Sequence, residues 1–323
     1  MKACVVQELS GPSGMSYMDV PDVTPGPESV LVDVRAAGVC FPDLLLSKGE
    51  YQLRLPPPFI PGMEVAGVVA AAPDGSGLAV GQRVCASVLG GYAEQVVAPV
   101  ANVKPSPAEL DDAEAVSLLV NYHTMYFAFE RRAALRPGET VLVLGAAGGV
   151  GLAAVDIAVL MGARVIAAAS GAEKLEVCRQ RGAEACIDYD REDLKARLKE
   201  ITGEAGAQVV LDPVGGRYSE PALRGLGRGG RFITLGYAAG EIPKIPLNLV
   251  MLKGITVQGM EIRTFAADYP DAIERDDAEL HELFATGKLR PYIGARFPLE
   301  QAAAALRYVA DRKAVGKVVV TMD

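Results

Sequence analysis

The sequence predicts an α/β fold in which a doubly wound parallel sheet follows a smaller, mostly β unit. From residue 139 onward, apolar strand-like runs alternate with helical segments, and this alternation is typical of parallel sheets with right-handed crossovers. Residues 1–110 contain short apolar runs separated by turn-forming glycines and prolines, which indicates a barrel-like β unit. A chain of 323 residues is long enough for two such cores.

The β unit is predicted from five apolar runs, at residues 3–6, 30–34, 65–71, 83–88 and 94–98. The stretch LPPPFIPG at 55–62 is neither helix nor central strand, because its prolines lack the N–H that both require. It is either a rigid loop that shapes a cleft or a crossover on the surface. A helical segment over 113–134 follows, where Asp111 and Glu114 have the spacing of a capping box.

A glycine-rich turn follows the first strand of the parallel sheet. Residues 141–151 have the sequence VLVLGAAGGVG, in which four apolar residues precede Gly145, Gly148 and Gly151. A continuous apolar run is typical of a strand buried on both faces. Glycines at this spacing allow a tight turn and let backbone N–H groups approach a pyrophosphate at the N-terminus of the next helix. This context favours a dinucleotide site over a purely structural turn.

The remaining elements of the parallel sheet follow in the same alternation. Strands are predicted at 164–168, 185–188, 208–211 and 231–235, and helices at 151–161, 172–181, 191–202 and 218–226. Ligands of such sheets bind at the carboxyl ends of the strands. The sequence DPVGG at 212–216 and the pair Gly236-Tyr237 lie at two such ends, so we expect them to line the nicotinamide side of a cleft.

The last part of the chain returns to shorter elements, and we expect it to rejoin the N-terminal β unit. The predicted elements are a strand at 255–259, helices at 277–286 and 299–311, and a final strand at 317–321. The predicted division is therefore 1–120 for the first part of the β domain, 121–256 for the dinucleotide-binding domain and 257–323 for the return.

Composition and charge argue against several functional classes. The formal net charge of −8 argues against a nucleic-acid partner, which would require a basic surface. No apolar run reaches the roughly 18 residues of a membrane span, and the start MKACVVQEL lacks the pattern of a signal peptide. The five cysteines are scattered without a CxxC pair, as is typical of a reducing compartment. We therefore expect a cytoplasmic protein with no membrane partner and no nucleic-acid partner.

Nine stretches, spread over nearly the whole chain, match the motifs of one enzyme superfamily. They are GVCFPD (38–43), GEYQL (49–53), PGMEVAG (61–67), GGYAE (90–94), PGETVLVLGAAGGVG (137–151), KLEVCRQRGAEACIDY (174–189), VLDPVGG (210–216), GRFITLGYAAG (230–240) and NLVMLKGITVQG (248–259). They resemble the medium-chain dehydrogenase/reductase superfamily, and within it the zinc-independent, zeta-crystallin-like quinone oxidoreductases. The resemblance implies a GroES-like β-barrel catalytic domain and a Rossmann domain, with the cleft between them.

The metal-ligand positions of that superfamily are mostly absent from this chain. The zinc-dependent members have a pattern similar to GVC-x-x-D followed by Gly-His-Glu. Cys40 keeps the first ligand position, but Met63 stands at the histidine position and 119–121 contains no cysteine. Because a catalytic zinc needs three protein ligands and an open position, we expect no metal site. Zinc-independent relatives commonly have an Asn at the position of Cys40 that helps to hold cofactor or substrate; the alternative for Cys40 is a buried inert thiol.

Three further residues are candidates for the catalytic site, each with a structural alternative. Asp43 matches an acidic position at the family's cleft, or it caps the helix that precedes Leu44. Tyr51 matches a tyrosine near the nicotinamide and is suited to donating to a developing oxyanion, or it anchors a loop. Thr124 matches a threonine that faces the nicotinamide, or it bonds its own helix backbone. The neighbouring His123 is interpreted as structural.

The predicted cofactor is NADPH rather than NADH. The second strand of the sheet ends at small, uncharged residues, whereas NAD sites have an acidic residue there for the ribose 2′-hydroxyl. Ser170, Lys174 and the family tyrosine Tyr189 are predicted to contact the 2′-phosphate. The other predicted cofactor contacts are Asn121, Gly145, Ala147, Gly148, Gly149, Val150, Gly151, Val214, Gly215, Gly236, Tyr237 and Lys317.

The predicted function is hydride transfer from NADPH to a quinone or an activated enone without zinc. Hydride chemistry belongs to the nicotinamide, so the protein has to orient the reactants and stabilise charge. One alternative is a 2-enoyl thioester (acyl-CoA) reductase, and another is a non-catalytic NADPH-binding or redox-sensing protein. The resemblance also implies a homodimer that pairs through the strand near 254–259, which would cover an exposed sheet edge.

Overall fold

The structure is a computed structural model that describes residues 1–322, and the side chains of all of them except Thr264 and Ala266. The chain divides into two compact units. The first contains Met1–Val120 together with the chain from His281 onward, and the second contains Asn121–Leu280.

The N-terminal part of the first unit contains strands β1 (Lys2–Val6), β2 (Met15–Asp19), β3 (Ser29–Val39), β4 (Glu64–Ala71), β5 (Arg83–Ser87), β6 (Gln95–Pro99) and β7 (Val103–Pro105), with helices α1 (Phe41–Lys48) and α2 (Asp112–Ala115). Helix α1 begins where local chemistry favours a helix start. Cys40 is its N-cap, Pro42 lies in its first turn, and Asp43 completes a capping box. The helix ends at Gly49, whose φ of +71° is the left-handed conformation that glycine adopts without strain.

A helical segment begins in the first unit and continues into the second, and it consists of a π-helical turn at Leu118–Tyr122, α3 (His123–Phe127) and a second π-helical turn at Ala128–Arg132. The strands of the second unit are β8 (Thr140–Leu144), β9 (Arg164–Ala169), β10 (Ala185–Asp188), β11 (Ala207–Asp212), β12 (Leu226–Thr234) and β13 (Thr256–Gly259). Its helices are α4 (Gly149–Leu160), α5 (Ala172–Gln180), α6 (Leu194–Thr202), α7 (Ser219–Arg224), α8 (Leu247–Lys253), α9 (Ile262–Asp268) and α10 (Pro270–Ala285). The chain then returns to the first unit with β14 (Ile293–Pro298), α11 (Ala302–Ala310) and β15 (Lys317–Thr321).

The sheet of the second unit is entirely parallel, with the strand order β10-β9-β8-β11-β12-β13. This order confirms the predicted doubly wound sheet, because the chain changes direction between β8 and β11. The side chains of β8 from Val141 to Leu144 are completely buried, as expected for a central parallel strand with helices on both faces. The carboxyl ends of β8–β12 therefore carry the loops in which the predicted cofactor residues lie.

The sheet of the first unit is mostly antiparallel and has the order β14-β15-β3-β4-β5-β7, with β6 also paired to β3. The returning strand β15 is paired with β3, so that Val318 lies opposite Val39 and Thr321 opposite Ala36. A core of valines from β3, β4 and β15 fills this unit, and α11 packs against it through Ala305 and Leu306. The α/β fold with an N-terminal β unit is confirmed.

The return to the first unit occurs later than the predicted residue 257. Residues 257–280 belong to the second unit, since β13 pairs with β12 and extends the Rossmann sheet by one strand. Helix α10 also contacts the helical segment of this unit, because Arg131 forms a 2.6 Å ion pair with the buried Asp276. The chain crosses back only at His281, within α10.

Candidate active site

The glycine-rich turn after β8 has no room for side chains at Gly145 and Gly151. Gly145 has a φ of +60°, and a Cβ added there would lie 2.8 Å from Cγ2 of Val214. A Cβ added at Gly151 would lie 2.1 Å from the carbonyl oxygen of Gly145, so α4 packs directly on the turn. Gly148 is the N-cap of α4, and Ala147, Gly149 and Val150 complete the turn and the first helical residues. The turn thus exposes the N-terminus of a twelve-residue helix, which suits a pyrophosphate.

The loops after β9 and β10 hold the residues predicted to contact the 2′-phosphate. Ser170 follows β9 directly and Lys174 lies in the first turn of α5, while Tyr189 follows β10. Asp188 connects the two loops, because its carboxylate accepts the N–H of Gly171 at 3.2 Å and the N–H of Asp190 at 3.2 Å. The structure brings all three predicted residues to the same edge of the sheet.

The loops after β11 and β12 are fixed by a buried carboxylate. Asp212 accepts the N–H groups of Val214 and Gly215, both at 2.8 Å, and the hydroxyl of Ser219 at 2.5 Å. Burial raises the pKa of Asp212, and these donors oppose the rise. A Cβ on Gly215 would lie 2.8 Å from the ring of Tyr237, so these predicted residues are close together.

The loop that follows β12 packs against the loop that follows β11. A Cβ on Gly236 would lie 3.3 Å from the carbonyl oxygen of Pro213, and the N–H of Ala239 donates to the carbonyl of Val214 at 2.8 Å. Val214, Gly215, Gly236 and Tyr237 therefore form one loop cluster at the carboxyl ends of β11 and β12. The role of this cluster toward a nicotinamide stays a prediction.

The helical segment of the second unit places Asn121 and Thr124 on either side of the junction between the π-helical turn and α3. Both side chains are buried. Between them, Tyr122 donates its hydroxyl to Asp156 of α4 at 2.6 Å, and Asp156 also accepts two hydrogen bonds from Arg181. The bond from Tyr122 to Asp156 anchors this turn, and π-helical turns are frequent at functional sites. The contacts of Asn121 and Thr124 with the cofactor stay predictions.

A buried polar cluster in the first unit contains three predicted residues and two that the sequence analysis did not identify. Cys40 donates its thiol to Oε1 of Glu64 at 2.9 Å, and the ammonium of Lys317 contacts Cys40 Sγ at 3.3 Å and forms an ion pair with Glu64. Glu64 and Lys317 are almost completely buried, at 1% and 4% exposure. Lys317 was predicted to contact the cofactor; its partners in the structure are these groups of its own unit, so that contact stays a prediction.

Asp43 occupies the centre of a second set of bonds in this cluster. Its carboxylate accepts the N–H of Cys40 at 2.9 Å, the N–H of Gly62 at 3.1 Å and the hydroxyl of Tyr92 at 3.1 Å. Asp43 is therefore the third helical residue of a capping box rather than the N-cap, and it also holds the chain at Gly62 in place. Burial raises its pKa to about 6.

The protonation states in the cluster follow from burial and charge. Burial raises the pKa of Cys40 well above its usual value, and the charge of Glu64 raises it further, so Cys40 is a neutral thiol at pH 7. Burial by itself lowers the pKa of Lys317, but Cys40 and Glu64 outweigh that effect and the net pKa is raised. Lys317 is thus a buried ammonium ion paired with Glu64.

The residues of the first unit do not fit a catalytic zinc. A catalytic zinc needs three protein ligands, whereas the thiol of Cys40 contacts the carboxylate of Glu64 and the ammonium group of Lys317, and Met63 stands at the histidine position. Among residues 1–322, no group of three or more His, Cys, Asp or Glu side chains has the arrangement of a metal site. We therefore derive no chemistry through a metal.

Tyr51 lies two residues after Gly49, in the irregular segment between α1 and β4, and is half-buried. The structure places it in the same unit as the Cys40 cluster. Whether its hydroxyl acts on a substrate stays a prediction.

Sequence reasoning missed Glu64, Tyr92 and Asp188, and it expected Asp212 to line the nicotinamide site rather than to bind its own loop. Glu64 follows Met63 in PGMEVAG and Tyr92 lies in GGYAE, two of the matching motifs. For Glu64, the available signal was a charged residue at the start of the apolar strand β4, since an unpaired buried carboxylate is costly and implies a partner.

Comparisons with known proteins agree with this architecture. Residues 26–108 match the family model described as alcohol dehydrogenase GroES-like domain, and residues 149–277 match the one described as zinc-binding dehydrogenase. The chain is 36% identical to quinone oxidoreductase-like protein 2 of Bos taurus over 99% of this chain and 92% of that protein.

Two solved structures share the fold over nearly their whole length. The quinone oxidoreductase of Thermus thermophilus, solved alone and with NADPH, is 38% identical and has a TM-score of 0.85, covering 99% of this chain and 100% of that one. The quinone oxidoreductase of Escherichia coli in complex with NADPH is 26% identical with a TM-score of 0.91, and the coverage is 99% and 100%. None of the helices that the structure describes is both long and apolar enough to span a bilayer. The chain belongs to the medium-chain dehydrogenase/reductase superfamily of oxidoreductases, among the quinone oxidoreductases.

Proposed function

We propose that this chain is an NADPH-dependent reductase that transfers a hydride to a quinone or an activated enone without zinc. The observation that carries the proposal is the cradle at Gly145, Gly148 and Gly151, in which a Cβ at Gly145 or Gly151 would collide with neighbouring atoms and Gly148 is the N-cap of α4. Two structural relatives have been solved with NADPH, which supports the same cofactor here.

The choice of NADPH over NADH rests on the edge formed by Ser170, Lys174 and Tyr189. The end of β9 carries Ala169 and Ser170, so no acidic side chain lies at the position that binds a ribose 2′-hydroxyl in NAD sites. The hydroxyl of Ser170 and the ammonium of Lys174 are suitable donors to a 2′-phosphate. Bonds of this kind to a charged group are worth roughly 1.5–3 kcal/mol each.

The protein's own contribution to the reaction is orientation and charge stabilisation. When bound, NADPH supplies the hydride. The N-terminus of α4 holds the pyrophosphate, and Asn121 and Thr124 are proposed to orient the nicotinamide. Tyr51 is proposed to donate a hydrogen bond to the oxygen of the acceptor as it becomes negative, which helps only in the transition state. Cys40 contributes no nucleophile, because burial raises the pKa of its thiol and the thiol contacts Glu64 and Lys317.

We further propose a homodimer joined through the second unit. The side chains of Leu247, Met251 and Leu252 on α8 are 76%, 73% and 62% exposed, and Val257 on the neighbouring edge strand β13 is 41% exposed. An apolar helix face beside an unpaired strand edge is unfavourable in water. A second copy on a two-fold axis would cover both features. The predicted cytoplasmic location stays a prediction.

The test of the activity compares two acceptors with the same metal-free protein. After treatment with a chelator, NADPH oxidation is followed with 1,4-benzoquinone and, separately, with crotonyl-CoA. The proposal expects turnover of the quinone and little or none of the thioester. Preference for crotonyl-CoA would instead identify a 2-enoyl thioester reductase, and tight NADPH binding with no turnover would identify a non-catalytic binding protein.

A further inference from the structure

Tyr189, one of the three residues proposed to contact the 2′-phosphate, is in contact with a tyrosine of another loop. The rings of Tyr189 and Tyr218 have centroids 4.3 Å apart at an angle of 37°. Tyr218 is buried, whereas Tyr189 is half-buried. Ring pairs at this distance contribute beyond the burial of their area. The position of the Tyr189 ring is therefore set in part by Tyr218, which lies 29 residues further along the chain and in the loop after β11.

Hydrogen bonds and a salt bridge connect the Tyr218 loop to the Tyr189 loop near the hydroxyl of Tyr218. The hydroxyl of Tyr218 donates to Asp190 at 2.9 Å. Arg217 donates to the hydroxyl of Tyr218 at 2.9 Å and to Asp190 at 3.3 Å, and its guanidinium lies 4.9 Å from the centroid of the Tyr218 ring. Asp190 is the residue after Tyr189, so the two hydrogen bonds that Asp190 accepts connect the loop that carries Tyr189 to the loop that carries Tyr218.

The loop that carries Tyr218 is itself held by several backbone hydrogen bonds. Gly215 and Gly216 have φ values of +71° and +57°, conformations that side chains rarely adopt. The carboxylate of Asp212 accepts backbone N–H groups of this turn, and the N–H of Gly216 donates to the carbonyl of Glu241 at 2.9 Å. Tyr218 therefore follows a turn whose backbone is anchored by Asp212 and by the carbonyl of Glu241.

Charge gives Arg217 a second effect. The carboxylate of Asp190 is next in sequence to a residue proposed to contact a phosphate, and like charges repel. The ion pair with Arg217 offsets that negative charge. NADH lacks the 2′-phosphate, so neither the position of Tyr189 nor the charge of Asp190 affects its binding to the same degree.

We propose that Tyr218 and Arg217 determine the preference for NADPH over NADH: Tyr218 as a positioning residue that holds Tyr189, and Arg217 by neutralising Asp190. The proposal deepens the proposed function and rests on Ser170, Lys174 and Tyr189 contacting the 2′-phosphate. It adds two residues that do not themselves have to touch the cofactor.

The experiment measures the dissociation constants of NADPH and NADH by titration calorimetry on the full-length protein. Tyr218→Leu removes the ring and is expected to weaken NADPH binding about tenfold, with NADH binding changed less than about twofold. Tyr218→Phe keeps the ring pair and is expected to restore most of the NADPH affinity. Equal loss for both cofactors in Tyr218→Leu, or no loss for either, overturns the positioning role, because a merely structural defect has no reason to discriminate.

The charge effect is tested at the surface, where a substitution does not disturb folding. Arg217→Ala is expected to weaken NADPH binding about two- to fivefold, and the additional change Asp190→Asn is expected to reverse this loss. Arg224→Ala, which removes an exposed arginine paired with Glu220 on α7, is the matched control and leaves both affinities unchanged. If Tyr218→Leu does not fold, the Arg217 variants decide the question. An unchanged NADPH affinity in Arg217→Ala, or no recovery of affinity in the double variant, overturns the proposal.

A parallel variant separates this inference from the function on which it rests. Lys174→Ala is expected to lower NADPH affinity on the order of tenfold to a hundredfold and to leave NADH affinity nearly unchanged. If Lys174→Ala has no selective effect, the phosphate site itself is misplaced. If Lys174→Ala is selective but the Tyr218 and Arg217 variants are not, only the further inference fails.

Discussion

At the scale of single residues, the cluster around Cys40 shows how ionisable side chains can be buried when they contact one another. Cys40 and Lys317 both contact Oε1 of Glu64, while Asp43 takes its donors from the backbone and from Tyr92. Removing one partner of a buried ion pair is strongly destabilising, because the other charge then has no compensation.

The raised pKa of Asp43 makes a prediction about stability and pH. The ordinary pKa of 3.8 rises to about 6 in the folded protein, so the folded state binds a proton more tightly than the unfolded state. The resulting stabilisation is fully present below about pH 4 and is lost as pH rises through about 6. Between about pH 4.5 and 7.5, the free energy of unfolding of the wild type should fall by about 2 kcal/mol relative to Asp43→Asn.

Urea unfolding followed by circular dichroism, at a series of pH values, measures this difference. The comparison with Asp43→Asn removes the titration of groups that both proteins share. A difference between the two proteins that stays constant over this range would show that Asp43 does not titrate there.

The hydroxyl of Tyr51 is predicted to act on the transition state. Tyr51→Phe should lower kcat for a quinone about tenfold or more, with the dissociation constant of NADPH unchanged, because a donor to a developing oxyanion is used only as charge forms. Steady-state kinetics together with cofactor titration separate the two effects. Tyr17→Phe, at an exposed tyrosine of β2, is the matched control. A kcat equal to that of the wild type would leave Tyr51 as a loop anchor.

At the scale of elements, the periodic parts of the chain were predictable and the parts defined by long-range pairing were not. The strand that became β8 and the helix α4 were predicted because a buried run and a glycine turn are local signals. The hairpin strand β2 was missed, since its side chains after Met15 are exposed and show no apolar run. The helical segment over 113–134 was predicted as one helix, but its two π-helical turns depend on tertiary contacts such as that of Tyr122 with Asp156.

The packing of α4 on its turn predicts different effects for two neighbouring glycines. Gly151→Ala should lower the free energy of unfolding of the cofactor-free protein by about 2–4 kcal/mol, because its Cβ would collide with the carbonyl of Gly145. Gly148→Ala should lower it by less than about 1 kcal/mol, since its Cβ would be 3.5 Å from the nearest atom. It should instead weaken NADPH binding, because the methyl group occupies the cradle.

Urea unfolding without cofactor and titration with NADPH give the two quantities for each variant. The two alanine variants serve as controls for each other, because they differ only in position within the same turn. Equal stability of both variants would contradict the close packing of α4 on Gly145.

At the scale of the whole molecule, sequence reasoning identified the two kinds of domain but not where the chain returns to the first. The motifs of both domains are local, whereas the return at His281 depends on β13 and α10 packing in the second unit. The Cys40 cluster was not predictable either, because it also depends on contacts between distant parts of the chain. Lys317 is 277 residues from Cys40, and only the pairing of β15 with β3 brings the two together.

The proposed homodimer predicts that one charge on α8 separates the subunits. Met251→Glu places a carboxylate on the apolar face and should convert the dimer into monomers, because burying an unpaired charge in an interface is costly. Light scattering at micromolar concentration measures the mass. Val80→Glu, at an exposed valine of the first unit, is the matched control and should remain dimeric. A wild-type protein that is already monomeric would contradict the dimer.

The central claim is metal-free hydride transfer from NADPH to a quinone, and a single-turnover experiment tests it most directly. Protein freed of metal by a chelator and checked by elemental analysis is mixed with 1,4-benzoquinone and either NADPH or NADPH carrying deuterium at both C4 positions. We predict quinone-dependent oxidation at the same rate before and after chelation, slowed by deuteration because the C4 hydrogen moves in the rate-determining step. Loss of the reaction on chelation with recovery on adding zinc, or no quinone-dependent oxidation at all, would contradict the account.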